Sequence, residues 1–216
     1  MSKHLQDIFI DVPFYSQLDD SHGLDEYWKT RSCGIFALKM VLDYWRTAQG
    51  LEPISAKELL SASDVLNGRN DRAGWLHATI VMVARQYGFI AWRRGWMLSS
   101  DGRRRFAAEG AGERTLEIID SQHREEAYPT LVSALDKGYP VIVSVARNFS
   151  EVHKPHMVVL TGVRRGEDKD DFRGFYYNDP YDPENELRKN HYVSLGDFVN
   201  MWRSQAIFII PNPENE

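Results

Sequence analysis

The sequence predicts an α+β fold in which helices pack on a mainly antiparallel sheet. Two observations carry this expectation. Apolar residues at helical spacing concentrate in the first two thirds of the chain, and β-branched apolar runs in the last third. The late runs are joined by short connections, which suit hairpin pairing. With 216 residues, 43% of them hydrophobic and 26% charged, the chain is long and apolar enough for one domain spanning residues 1–216.

Ile8 to Val12 reads as a short strand ended by Pro13. An acidic loop through Asp19, Asp20, Asp25 and Glu26 follows. Ile35, Leu38, Val41, Leu42 and Trp45 keep helical spacing, so a helix is expected from about Cys33 to Thr47, with Ser32 as its N-cap. Ser55 and Glu58 form a capping box for a helix over about Ala56 to Ser63. A third helix is expected from about Gly74 to Tyr87, stopped by Gly88. Phe89 to Trp92 reads as a strand. Arg93 to Glu113, rich in arginine and glycine and without periodicity, reads as a long surface loop or lid. Thr115 to Ile119 reads as a strand, and Pro129 as the first turn of a helix ending near Gly138. Strands are then expected at Val141 to Ala146, Met157 to Val163, Phe172 to Asn178 and His191 to Ser194. Asp179 to Asn185 is turn chemistry. Ser194 caps a helix through Trp202, and Ala206 to Ile210 closes with a strand.

A net charge of −5 disfavours generic nucleic-acid binding. The single cysteine excludes an intrachain disulfide and a zinc site built from several thiolates. A lone free thiol fits a reducing compartment, so a cytoplasmic location is expected. No signal-peptide core and no membrane-length apolar run is present, so no membrane partner is expected. Oligomeric state is open.

Cys33 falls at the start of the expected helix. There, unpaired N–H groups and the macrodipole favour an anion, and such a position can lower a thiol pKa from about 8.5 to roughly 3.5–7.5. A small core hydrophobe would occupy the same place equally well. A thiol nucleophile needs a base, and the base an orienting group. Among seven histidines, His156 is best placed, at the mouth of a strand that must enter the core. Pairing of the strands from Met157 and Phe172 as a hairpin brings Met157 close to Asn178, and Asp179 to His156. Asn178 is a second candidate orienter. Gln17 is the natural side-chain donor to an oxyanion, beside the Cys33 N–H. His153 and His156 could share a metal with Asp179 or Asp182, but no metal and no cofactor is expected.

Val12-Pro13-Phe14-Tyr15-Ser16-Gln17, Ser32-Cys33-Gly34 opening an apolar helix, His156-Met-Val-Val-Leu-Thr-Gly162 and Asn178-Asp179-Pro180 resemble the papain-like peptidases of the bacteriocin-processing, double-glycine-leader type, in their stand-alone branch. Ser194 to Trp202 resembles the family's late helix. The resemblance implies a papain-like α+β fold with the cysteine helix packed on the sheet. It also implies Cys33 as nucleophile, His156 as base and then acid, Asp179 as orienter and Gln17 as oxyanion donor. A thiol protease acting on a peptide or protein substrate through a thioester is the expected activity. A thiol-dependent acyltransferase or deamidase, or a non-catalytic peptide-binding module, are the alternatives. The acidic insert between Gln17 and Cys33, and Arg93 to Glu113, depart from the family pattern. The membrane and nucleotide-binding domains of transporter-fused members are not in this sequence.

Overall fold

A computed structural model describes residues 6–215 except 71–73, 147–154, 167–170 and 183–188. His4 and His153 lie outside the described residues. Among the described residues the elements run β1 (Ile8–Phe9), α1 (Glu26–Lys29), α2 (Cys33–Ala48), α3 (Ala56–Val65), β2 (Arg69–Asn70), β3 (Gly74–Trp75), α4 (His77–Gln86), β4 (Ile90–Gly95), α5 (Ser100–Ala108), α6 (Glu113–Asp136), β5 (Val141–Ala146), β6 (Pro155–Arg165), β7 (Phe172–Asn178), β8 (His191–Ser194), α7 (Leu195–Met201) and β9 (Trp202–Ile210).

The main sheet has the order β4-β9-β5-β6-β7-β8, and every neighbouring pair is antiparallel. β1 pairs with β6 at Gly162 and Val163, just past the end of β5. All of β5 and His156 to Val163 of β6 are buried, so both faces of the sheet are covered. α2 packs on one face, and α6 with α7 on the other. Burying β-branched strands between helix layers is the main source of stability in such an arrangement.

α2 buries ten consecutive residues from Gly34 to Asp43, polar ones included. Lys39 Nζ donates to Asp43 Oδ2 and to the Ile54 carbonyl, both at 2.6 Å, and sits over the Tyr15 ring. Asp43 Oδ1 accepts the Ile54 N–H. Each buried charge is thus paired and hydrogen-bonded, the condition for a buried ion pair to be tolerated.

Several expectations need correction. Arg93 to Glu113 is not a loop: β4 runs on to Gly95 and α5 follows. Ser99 caps α5 by accepting the Gly102 N–H, and Arg104–Asp101 and Arg105–Glu109 pairs brace its surface. α5 buries no residue, so it has no apolar stripe to read. Thr115 to Ile119 is not a strand but the second turn of α6, whose Leu116 and Asp120 face inward. Pro129 lies inside this helix, where it leaves the Glu125 carbonyl without its usual partner. α4 begins at His77, because Gly74 and Trp75 form the small hairpin with β2. The acidic loop is also built: Asp19 and Asp25 cap a short 3₁₀ turn and α1, while Asp20 and Glu26 pair with Lys29.

Candidate active site

α2 presents Cys33 as its first residue. Ser32 stands at the N-cap position as expected, but its side chain makes no capping bond; its hydroxyl donates to the Trp28 carbonyl at 2.8 Å. No acidic side chain occupies the first turn, so nothing from the helix itself neutralises the N–H groups there. Gly34 is required next to the cysteine. A Cβ on it would stand 2.9 Å from Trp75 Cβ and 3.1 Å from Met157 Sδ. Trp75 is held over this point by its Nε1 donating to the Arg31 carbonyl at 2.6 Å and by stacking on Trp28.

β6 and β7 form the expected hairpin, but Asn178 pairs with Val159 and not near Met157, with a bulge between Leu160 and Gly162. The shifted register still sets the Asp179 side chain on the His156 ring, Nε2 to Oδ1 at 2.5 Å. Both residues are buried, at 4% and 6% exposure. The same Oδ1 accepts the Tyr181 N–H at 2.8 Å, which fixes the carboxylate in its turn. With Nε2 taken by Asp179, Nδ1 is the nitrogen left to serve Cys33, whose thiol titrates together with the ring. Asn178 is not an orienter here: its carbonyl accepts the Asn190 N–H and its amide reaches the Val12 carbonyl.

Burial pushes the Cys33 thiol up, but the His156 charge, the His156 hydrogen bond and the Met157 backbone outweigh it and bring the thiol below its ordinary value. Burial likewise pushes His156 down, and the Cys33 charge and the Asp179 hydrogen bond overturn it, raising the imidazole well above its ordinary range. Cys33 is only partly buried.

Gln17 is brought to the same turn. Its backbone N–H donates to the Pro180 carbonyl at 2.8 Å, and Ser16 Oγ donates to the Asp182 carbonyl at 2.6 Å. The Gln17 side chain is 1% exposed. Its Nε2 donates to the Lys29 carbonyl, leaving a second N–H on that nitrogen, and its buried Oε1 has no partner among the described residues. A second histidine–carboxylate pair, His191 Nε2 with Asp182 Oδ2 at 2.8 Å, braces the far end of the turn. This pair and the Trp75 roof arise only from tertiary contacts, so sequence spacing gives no signal for them. Among the described residues no group of three His, Cys, Asp or Glu side chains could hold a metal ion. No helix of the described residues is long and apolar enough to cross a membrane.

A search of the curated proteins finds no match. Solved structures do match. A C39-like peptidase from Bacillus anthracis aligns with a TM-score of 0.58 at 18% identity, covering 96% of this chain and 99% of that one. A double glycine motif protease from an AMS/PCAT transporter, in complex with its leader peptide, gives 0.53 at 16% identity over 96% and 99%. The peptidase domain of Streptococcus ComA gives 0.52 at 21% identity over 85% and 93%. These likenesses establish the fold, the papain-like α+β arrangement. The Peptidase_C39 like family matches residues 9–206, nearly the whole chain. Family and fold together point to a cysteine peptidase, and the chain belongs to the Peptidase_C39 like family.

Proposed function

We propose that this protein hydrolyses amide bonds of a peptide or protein substrate through a thioester on Cys33. The buried His156–Asp179 pair, coupled in charge to Cys33 at the uncapped start of α2, carries this reading. The Cys33 thiolate attacks the scissile carbonyl carbon. The oxyanion takes hydrogen bonds from the Cys33 N–H and the free N–H of Gln17 Nε2. As the tetrahedral intermediate collapses, His156 Nδ1 gives its proton to the departing amine and a thioester remains. His156, now neutral, takes a proton from the water that attacks the thioester; the second tetrahedral intermediate then breaks its C–S bond, releasing the acid and leaving the Cys33 thiolate beside the His156 imidazolium. Asp179 keeps the ring in the required tautomer throughout and stabilises the imidazolium.

The test is a mixed-sequence peptide library incubated with the wild type and with Cys33→Ala, cleavage being read by mass spectrometry. New peptide termini with the wild type and none with the variant are expected. Identical product sets from the two proteins would overturn the mechanism, and intact peptides retained by both would mark a binding module instead.

A further inference from the structure

At the β4 edge of the sheet, three strands away from β6 with its His156, lies a cavity of about 460 Å³, a size that suits a small ligand. It opens between β4 and the C-terminal half of α6, and none of its lining residues belongs to the site around Cys33. Its floor is Phe208, 5% exposed, on which Trp92 stacks with ring planes at 14° and centroids 5.2 Å apart. Trp92 itself is 39% exposed, so one indole face remains uncovered. Tyr139, held edge-on by Trp45, closes another wall.

The polar part of the lining has one sign. Arg94 and Lys137 line the cavity, no Asp or Glu does, and neither cation makes an ion pair among the described residues. This contrasts with α5, where Arg103, Arg104 and Arg105 all have carboxylate partners. Thr130 and Ser133 add two hydroxyls that make no side-chain hydrogen bond among the described residues. Flat aromatic walls select a planar apolar body, and two cations without carboxylate partners among the described residues, Arg94 lying over the Trp96 ring, select with the two hydroxyls an anionic group on it.

From this complementarity we propose that the cavity between β4 and α6 is a binding site for a small aromatic carboxylate. The ring lies against Trp92 and Tyr139, and the carboxylate meets Arg94, Lys137 and the hydroxyls of Thr130 and Ser133.

Isothermal titration of the full chain with sodium 2-naphthoate tests the site, with naphthalene-2-carboxamide as its uncharged twin. Naphthoate is expected to bind with a Kd below about 1 mM. The carboxamide is expected to bind about tenfold more weakly, as are naphthoate complexes of Arg94→Gln and Lys137→Gln. Ser133→Trp, an exposed helix position, is expected to fill the cavity and abolish binding. No naphthoate binding in that range, equal binding of the carboxamide, or affinities unmoved by all three substitutions would overturn the proposal.

Discussion

The thiol of Cys33 and the imidazole of His156 titrate as partners, and the sign of each shift fixes what pH should do. The thiol is lowered, so its thiolate persists as pH falls until the folded value is crossed. The imidazole is raised, so its charge persists as pH rises until its own folded value is crossed. The ion pair therefore spans the interval from the lowered folded value of the thiol up to the raised folded value of the imidazole, about 10. Alkylation of Cys33 by iodoacetamide should be nearly flat with pH across that interval and fall only below it. His156→Ala removes the cation while burial of the thiol remains, so the alkylation profile should move to higher pH, with a slower rate below the ordinary cysteine value and a steep rise toward pH 9. An unchanged profile in the variant would mean that His156 does not hold the thiolate. Asp179→Ala should act more weakly in the same direction, since it works through the ring.

At the scale of the element, what could be read from the sequence depended on whether an element buries an apolar face. β5, β7 and β8 fall on Val141–Ala146, Phe172–Asn178 and His191–Ser194, as the apolar and aromatic runs predict. The cysteine helix is legible for the same reason. α5 and the first half of α6 are not, because they are held by polar contacts that leave no periodicity. Asp120, buried on α6, accepts the Leu98 N–H at 2.7 Å and pairs with Arg103 of α5. That buried carboxylate, with the more exposed Glu113 that also pairs with Arg103, ties the two helices together, and nothing in its spacing announces it. In the site, the approach of Asp179 to His156 follows from strand pairing and is readable, whereas the Asp182–His191 brace has no strand register from which to read it. Asp120→Ala should therefore release α5 locally: amide exchange over residues 98–108 should quicken by a factor corresponding to about 1–3 kcal/mol. Exchange in β5 and β6 should not change, and equal acceleration across the sheet would show that α5 is part of the core.

Across the whole molecule, the segment before α2 acts as a strap that delivers Gln17 to the turn holding Asp179. Asp7 anchors it, accepting from the Arg165 N–H and the Tyr176 hydroxyl. β1 pairs on Gly162, Ile10 donates to the Thr161 carbonyl at 2.7 Å, and Ser16 and Gln17 close on the turn through Asp182 and Pro180. The strap can lie this close only because Gly162 has no side chain: a Cβ there would stand 2.0 Å from the Ile8 carbonyl oxygen. Gly162→Ala should thus push β1 off the sheet and loosen Gln17 without touching the contacts among Cys33, His156 and Asp179. Loss of an oxyanion donor costs about 10²–10³ in kcat, so a partly displaced one should lower kcat about tenfold. The pH profile of Cys33 alkylation should stay as in the wild type, which also shows that the variant is folded. A variant that keeps full kcat would mean that the strap is only a cover for the sheet edge. A variant that loses its low-pH alkylation would mean that the strap holds the thiolate pair as well as the oxyanion donor.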